Sequence, residues 1–312
     1  MEKGKIVVVG SGTIGTSLAF VSALYGWNTC LVGRRQQSID IALENCERSY
    51  RELADAELLP DKEAEKWRER MHCSVELSDF CHSADIVLEA VSEDLDVKQN
   101  LFCKLEEVVQ ENCLLASSTS GLPVDGIVNS CKYRDRVGVA HFANPPHLMP
   151  TVEVVPGTHT SGETMNQLCS YVKSLGKTPI RLKKDLPGHL FNRIQFAMLR
   201  EAMALVRDNV AEPEDIDNVV KQGLALRLAA EGPLQKMDLA TLDLVCSVSE
   251  YLFPELDASK EPEYLRQMLA QGYHGSKSGR GFYEWTGEEA DAVIAERNQE
   301  VIRHLKRMRS SR

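Results

Sequence analysis

His141 closes an apolar stretch, Arg136–His141, and is followed by Phe142-Ala143-Asn144-Pro145-Pro146, a run that ends any regular element. A little further on, Glu153 interrupts the valines of Thr151–Val155. A carboxylate between valines is costly to bury unless it is paired. A histidine would pair it, and a carboxylate on one ring nitrogen fixes the tautomer and raises the basicity of the other. A third polar run, Ser117-Ser118-Thr119-Ser120-Gly121-Leu122, ends another apolar stretch. Hydroxyls, an amide, an imidazole and a carboxylate at three strand ends are the groups needed to move a proton on or off an oxygen.

A second constellation lies at the start of the chain. Gly10-Ser11-Gly12-Thr13-Ile14-Gly15 fits G-x-G-x-x-G directly after a strand-like run and at the opening of a helix, the context in which the pattern marks a dinucleotide site. Gly10 permits the tight turn, Gly12 leaves room for a pyrophosphate, and Gly15 lets helix and strand approach. Free N–H groups at the helix start would face the phosphates. At the end of the next strand an NAD enzyme usually carries an acid on the ribose hydroxyls, but here the chain reads Gly33-Arg34-Arg35. Two guanidiniums would attract a 2′-phosphate. The expected cofactor is therefore NADP(H), with Arg34 the main contact; the alternative is NAD(H) bound without an acidic anchor.

These residues need strand ends on one edge of a sheet. Lys5–Val9, Asn28–Val32, Ala84–Val91, Cys113–Ser118, Arg136–His141 and Thr151–Val155 read as strands, with helices at Ile14–Tyr25 and Val97–Val109. A polar helical region, Ser38–His72, is broken near Pro60. The alternation predicts an α/β, Rossmann-type, doubly wound, mostly parallel sheet. After Leu186-Pro187-Gly188, apolar residues recur every three or four positions (Leu190, Ile194, Met198, Ala202, Leu205), and no convincing strand follows. The division expected is a dinucleotide-binding domain over 1–186 and an all-helical substrate and dimerisation domain over 187–312. Only the basic tail His304–Arg312 reads as disordered.

With 46 acidic against 36 basic residues the net charge is −10, which argues against a nucleic-acid partner. No apolar run is long enough for a membrane span, and Met1-Glu2-Lys3-Gly4-Lys5 leads straight into a strand without a signal peptide. Nine cysteines lack metal-ligand spacing, so reduced thiols, no metal and a cytoplasmic location are expected.

Together with Gly279-Arg280-Gly281-Phe282-Tyr283, these motifs resemble the 3-hydroxyacyl-CoA dehydrogenase superfamily over nearly the whole chain. Ser117-Ser118-Thr119-Ser120, the His-x-x-Asn-Pro-Pro run, Asn192-Arg193, and Gly223-Leu224 through Arg227 to Gly232-Pro233-Leu234 look most like its lambda-crystallin, or L-gulonate 3-dehydrogenase, branch. The resemblance implies that His141 is the general base, paired with Glu153. It implies that Ser120 and Asn192 hydrogen-bond the reacting oxygen. Asn144 would orient substrate or nicotinamide, and Ala90, Val91, Glu93 and Lys98 lie in the cofactor-side segment. In this family the second domain packs against its twin, which implies a homodimer.

Three departures shift the substrate. Ser118, which the resemblance places among the cofactor-binding residues, stands where the acyl-CoA enzymes carry Asn. The helix that grips CoA phosphates there corresponds to the acidic Glu47–Glu57, where Ser49 survives but a family Lys falls at Ala56, a poor seat for phosphates. Arg227 replaces uncharged residues and would hold a free carboxylate bidentately. The leading expectation is an NAD(P)-dependent oxidoreductase acting at C3 of an L-3-hydroxy acid or its 3-keto form. The alternatives are a short-chain L-3-hydroxyacyl-CoA dehydrogenase and a lens-crystallin-type structural or nicotinamide-binding protein. The joint presence of Ser120, His141, Asn144, Glu153 and Asn192 favours catalysis.

Overall fold

Lys5–Val9, with every residue but the first buried, is β1, the strand from which the first unit is built outward. In this computed structural model, which describes residues 3–310, it is followed by β2 (Asn28–Val32), β3 (Met71–Ser74), β4 (Ile86–Glu89), β5 (Leu114–Ser117), β6 (Val137–Phe142), β7 (Thr151–Pro156) and β8 (Thr178–Arg181). Among the described residues they form one eight-stranded sheet in the order β3-β2-β1-β4-β5-β6-β7-β8. Neighbouring strands run parallel except β6 and β7, which pair antiparallel.

Successive strand residues point to opposite faces, so a strand buried on both sides reads as unbroken hydrophobicity. Ile6 and Val8 join one core with Leu18 and Phe20 of α1 (Thr13–Leu24), Ala42 and Cys46 of α2 (Gln36–Asp55) and Trp67 of the short α3 (Trp67–Arg70). Val7 and Val9 face the other core, with Cys81 of α4 (Ser78–Cys81), Phe102 and Leu105 of α5 (Leu95–Val108) and Ile127 of α6 (Val124–Ile127). Leu168 and Val172 of α7 (Gly162–Ser174) cover the first face beyond β6. This is the doubly wound, mostly parallel sheet the sequence implies.

Two strands escape the sequence pattern. Met71–Ser74 falls at the end of the stretch expected to be helical, which is instead α2, a 3₁₀ turn Lys62–Lys66, α3 and then β3. Thr178–Arg181 contains Pro179 and forms the opposite edge, where a missing donor is tolerated.

The second unit, Ile194–Arg297, is helical. It takes in most of α8 (Phe191–Arg207), then α9 (Pro213–Val219), α10 (Ala225–Leu228), α11 (Pro233–Leu239), α12 (Leu242–Leu252), α13 (Glu263–Ala270) and the start of α14 (Gly287–Ser310). Its strand-like pairing among the described residues is confined to bridges of Arg280 with Gly275 and Glu284.

The division expected at Pro187 differs from these units. The first unit runs to Arg193 and regains the stretch from Asn298 on. There Val301, Ile302 and Leu305 of α14 pack on the core under α1 and α2. The Asn298 amide donates to Glu52 at 2.9 Å, and the Arg309 guanidinium donates to the Leu58 carbonyl at 2.7 Å. The tail expected to be disordered is therefore helical through Ser310. Met1, Glu2, Ser311 and Arg312 lie outside the described residues. No helix among the described residues is long and apolar enough to cross a membrane, and no cluster of His, Cys, Asp or Glu there could hold a metal ion. All nine cysteines are free thiols.

Candidate active site

The carboxyl ends of β1, β4, β5 and β6 point the same way, so the motifs at those ends share one edge of the sheet. The strand order reverses between β1 and β4, the switch point at which open α/β sheets bind nucleotides. Gly10 has φ +121°, and a β-carbon there would lie 2.3 Å from the Ala90 carbonyl oxygen. A β-carbon on Gly15 would lie 1.9 Å from the Gly10 carbonyl oxygen. At Gly12, by contrast, an added β-carbon meets nothing within 4 Å. No side chain caps the start of α1, so its first N–H groups remain open to a ligand. A strained turn, a close helix approach and an open lip over uncapped N–H groups fit a dinucleotide pyrophosphate.

Ser11 donates to Ser38, whose hydroxyl also donates to the Arg35 carbonyl at 2.7 Å, which ties the loop to the end of β2. Gly33 packs beneath this loop, where a β-carbon would crowd Ile39 and Ser11. Arg34 and Arg35 follow at once, both exposed and with no ion-pair partner among the described residues.

At the end of β4 the sequence reading missed the central group. Glu89 is fully buried, and its carboxylate accepts from Lys98 Nζ at 2.7 Å, from Ser117 Oγ at 2.6 Å and from the Val91 N–H at 2.7 Å. Lys98 is buried too and also reaches Glu93 at 3.2 Å. It is no solvated helix residue. Glu93 in turn accepts from Thr119 Oγ1 at 2.5 Å and from the Ser120 N–H at 2.9 Å. Burial would push the Glu93 carboxyl up, but the Thr119 hydrogen bond, the Lys98 charge and the Ser120 amide hold it below its usual range. The network fixes the loop that presents Ser118, whose N–H donates to the Glu89 carbonyl, and Ser120.

His141 and Glu153 are direct cross-strand neighbours on β6 and β7. His141 Nδ1 donates to Glu153 Oε2 at 2.7 Å, both side chains being buried. Nε2 is left as the basic nitrogen. The other carboxylate oxygen, Oε1, accepts the N–H groups of Leu190 (2.7 Å) and Phe191 (2.9 Å), so Glu153 also seats the first turn of α8. Burial alone would raise the Glu153 carboxyl; the His141 hydrogen bond and the two amides hold it below the ordinary carboxylate range. Asn192, one residue into α8, donates from Nδ2 to the Ser120 carbonyl at 2.8 Å. Asn144 is exposed in the turn after β6.

The first unit thus gathers His141, Glu153, Ser120 and Asn192. Arg227 lies in the second unit, on α10, and is exposed rather than buried. Beside His141 stands another residue that no sequence pattern flagged, the fully buried His189, with ring centroids 5.5 Å apart.

Two family models match the chain: the 3-hydroxyacyl-CoA dehydrogenase NAD-binding domain over residues 5–186 and the C-terminal domain over 188–285. A relative from Mesorhizobium japonicum, 5-formyl-3-hydroxy-2-methylpyridine 4-carboxylate 5-dehydrogenase, is 31% identical over 95% of this chain and 96% of its own. The human mitochondrial hydroxyacyl-coenzyme A dehydrogenase is 32% identical over 90% of each chain. A crystal structure of a 5-formyl-3-hydroxy-2-methylpyridine 4-carboxylic acid 5-dehydrogenase, described as an NAD+ dependent dismutase, superposes with a TM-score of 0.91 at 29% identity over 99% of both chains.

Proposed function

The chain belongs to the 3-hydroxyacyl-CoA dehydrogenase family of NAD-dependent oxidoreductases acting on CH–OH donors, and on that premise we propose that it works at C3 of a free 3-hydroxy or 3-keto acid, as an L-gulonate 3-dehydrogenase would. The observation that carries the reading is the His141–Glu153 pair, 2.7 Å apart on the edge of the sheet that also bears the glycine loop.

Bound at the glycine loop, a nicotinamide supplies the hydride acceptor. His141 Nε2 takes the hydroxyl proton, and Glu153 holds the ring and offsets the charge it gains. Ser120 and Asn192 flank the reacting oxygen, and Asn144 orients its neighbour. In the reverse direction His141 returns the proton to the carbonyl. Replacing His141 with Gln should lower kcat by about 10²–10⁴-fold while NADH binding, read by fluorescence, is unchanged. Retained turnover would remove His141 from the role.

A free carboxylate rather than CoA is supported by the acidic stretch of α2, where Glu47 already engages Arg51 and Arg68. Arg227 is the carboxylate anchor in this reading. Arg227→Ala should raise KM for L-gulonate or 3-hydroxybutyrate about tenfold or more, and preferred turnover of 3-hydroxybutyryl-CoA by the native enzyme would reverse the substrate class. Arg34 and Arg35 at the end of β2 support NADP(H). Side-by-side titration should show about tenfold tighter NADPH binding, a difference lost in Arg34→Ala; tighter NADH binding would return the site to NAD(H).

A second reading rests on the structural match over 99% of both chains, which takes in α14 beyond the family models. The relative's named substrate is an aldehyde beside a carboxylate. An aldehyde hydrate presents the same H–C–O–H unit, so His141 would take its hydroxyl proton while hydride leaves, giving the acid. Turnover of a pyridine or benzene carboxaldehyde bearing a carboxylate, and none of 3-hydroxy acids, would favour it. The second unit exposes Ile194, Phe196, Val219, Leu226, Leu234 and Leu239, which supports a homodimer through the helices.

A further inference from the structure

His189 sits where the chain turns into α8, and its backbone is unusual. Gly188 has φ +80° and His189 has φ +50°, two successive left-handed residues. A non-glycine residue in that region is uncommon and is held there only by its surroundings. The ring is completely buried, 5.5 Å from the His141 ring at an interplanar angle of 51°. Its Nδ1 lies 3.7 Å from Asp185 Oδ1, too far for a hydrogen bond, and the ring's backbone acceptor is at Thr119. The other Asp185 oxygen accepts the Val124 N–H at 2.6 Å, so this carboxylate is anchored.

We propose that His189 is a positioning residue for His141: with Asp185 it forms a second acid–imidazole pair, packed against the His141–Glu153 pair, and it confines the substrate's proton to His141. The inference rests on His141 being the base. Two imidazoles side by side in a buried site do not both charge readily. At 5.5 Å and an effective dielectric of about 20, the first proton weakens uptake of the second by roughly 100-fold. Glu153 hydrogen-bonds the His141 ring directly at 2.7 Å, whereas Asp185 stands off from His189 at 3.7 Å. Burial pushes the His189 imidazole below the ordinary histidine range and the neighbouring His141 adds to that, while Asp185, Glu153 and the Thr119 backbone pull the other way. The charged groups facing His189 are thus His141 from β6, Glu153 from β7 and Asp185 from its own turn. The loop after β5 contributes uncharged Thr119, with Glu93 behind it. His189 is a buried wall against the His141 ring.

The test reads the histidine Cε1–H resonances of the full-length protein against pH. In the native protein the His189 signal should titrate below the ordinary histidine range, and in His141→Gln its midpoint should rise by about one pH unit or more. A His189 titration that ignores His141→Gln overturns the proposal, as does simultaneous titration of the two rings. Asp185→Asn should lower the His189 titration further and provides the same decision if other variants fail to fold. With acetoacetate and a reduced nicotinamide, His189→Phe should lower kcat about tenfold at constant KM and move the acid limb of the pH profile, and His189→Gln should restore most of kcat. A rise in KM alone, or an unmoved pH profile, counts against it. If the native enzyme reduces no 3-keto acid, the functional reading fails, and the resonance titration still decides the coupling.

Discussion

The Glu153 carboxylate receives three donors: the His141 imidazole on one oxygen and the Leu190 and Phe191 amides on the other. One side chain therefore aims the base and seats the helix that carries Asn192. Glu153→Gln keeps the shape but cannot balance a charged His141. Turnover should drop by about 10²-fold or more, and breaking a buried pair should cost roughly 3 kcal/mol of stability. The pH dependence has a definite sign. Because the folded carboxyl is held below its unfolded range, its contribution is present above that range and is lost as pH falls through the folded value. The native-minus-variant difference in Tm should shrink on acidification from about pH 5 downward; a constant difference would mean that the carboxylate charge is not what stabilises. At this scale the sequence was informative where a polar residue broke a pattern, as Glu153 does between valines. It was silent on Glu89, the last residue of an apolar strand, and on His189, in a Pro-Gly turn without periodicity. Their importance comes from burial against Lys98 and His141, contacts that only the fold brings about.

Among elements, the strand-to-helix joints were the most legible, because the glycine loop obeys local sterics. The edge strands β3 and β8 were not. Four residues long and at most half-buried, they owe their conformation to the neighbours they pair with. The loop makes opposed expectations for two glycines, Gly12 at the cap of α1 and Gly15 within its first turn. A β-carbon at Gly12 meets no protein atom, so Gly12→Ala should leave Tm nearly unchanged, within about 1 kcal/mol of stability, yet weaken NADH binding about tenfold or more. At Gly15 the same methyl would overlap the Gly10 carbonyl, so Gly15→Ala should destabilise by about 1–3 kcal/mol. Thermal melts and nicotinamide titrations on both variants check the pair. Equal loss of stability in the two would contradict an open lip at Gly12.

For the molecule as a whole, the change from strands to helices near Pro187 was readable, but the return of the chain to its first unit was not. The last helix is strongly charged, and its contacts are sparse along the sequence: Val301, Ile302 and Leu305 on one face, Asn298 to Glu52 at its base, and Arg309 to the Leu58 carbonyl at its end. Glu52 also takes a hydrogen bond from His147 at 2.7 Å, so the helix closes a polar cluster on the side of the sheet that α1 and α2 cover. Three half-buried aliphatic side chains are worth roughly 3 kcal/mol together. A chain ending at Arg297 should therefore melt about 6–12 °C lower than the full protein, since each kcal/mol moves Tm by about 2–4 °C at this size. Its NADH affinity should be unchanged, because the hydrogen bonds of that stretch fall on Glu52 and Leu58, in and just after α2, and not on Glu89 or Lys98. Equal melting of the two chains would show that the returning helix is not docked in solution. A parallel loss of NADH binding would show instead that the nucleotide site depends on that docking.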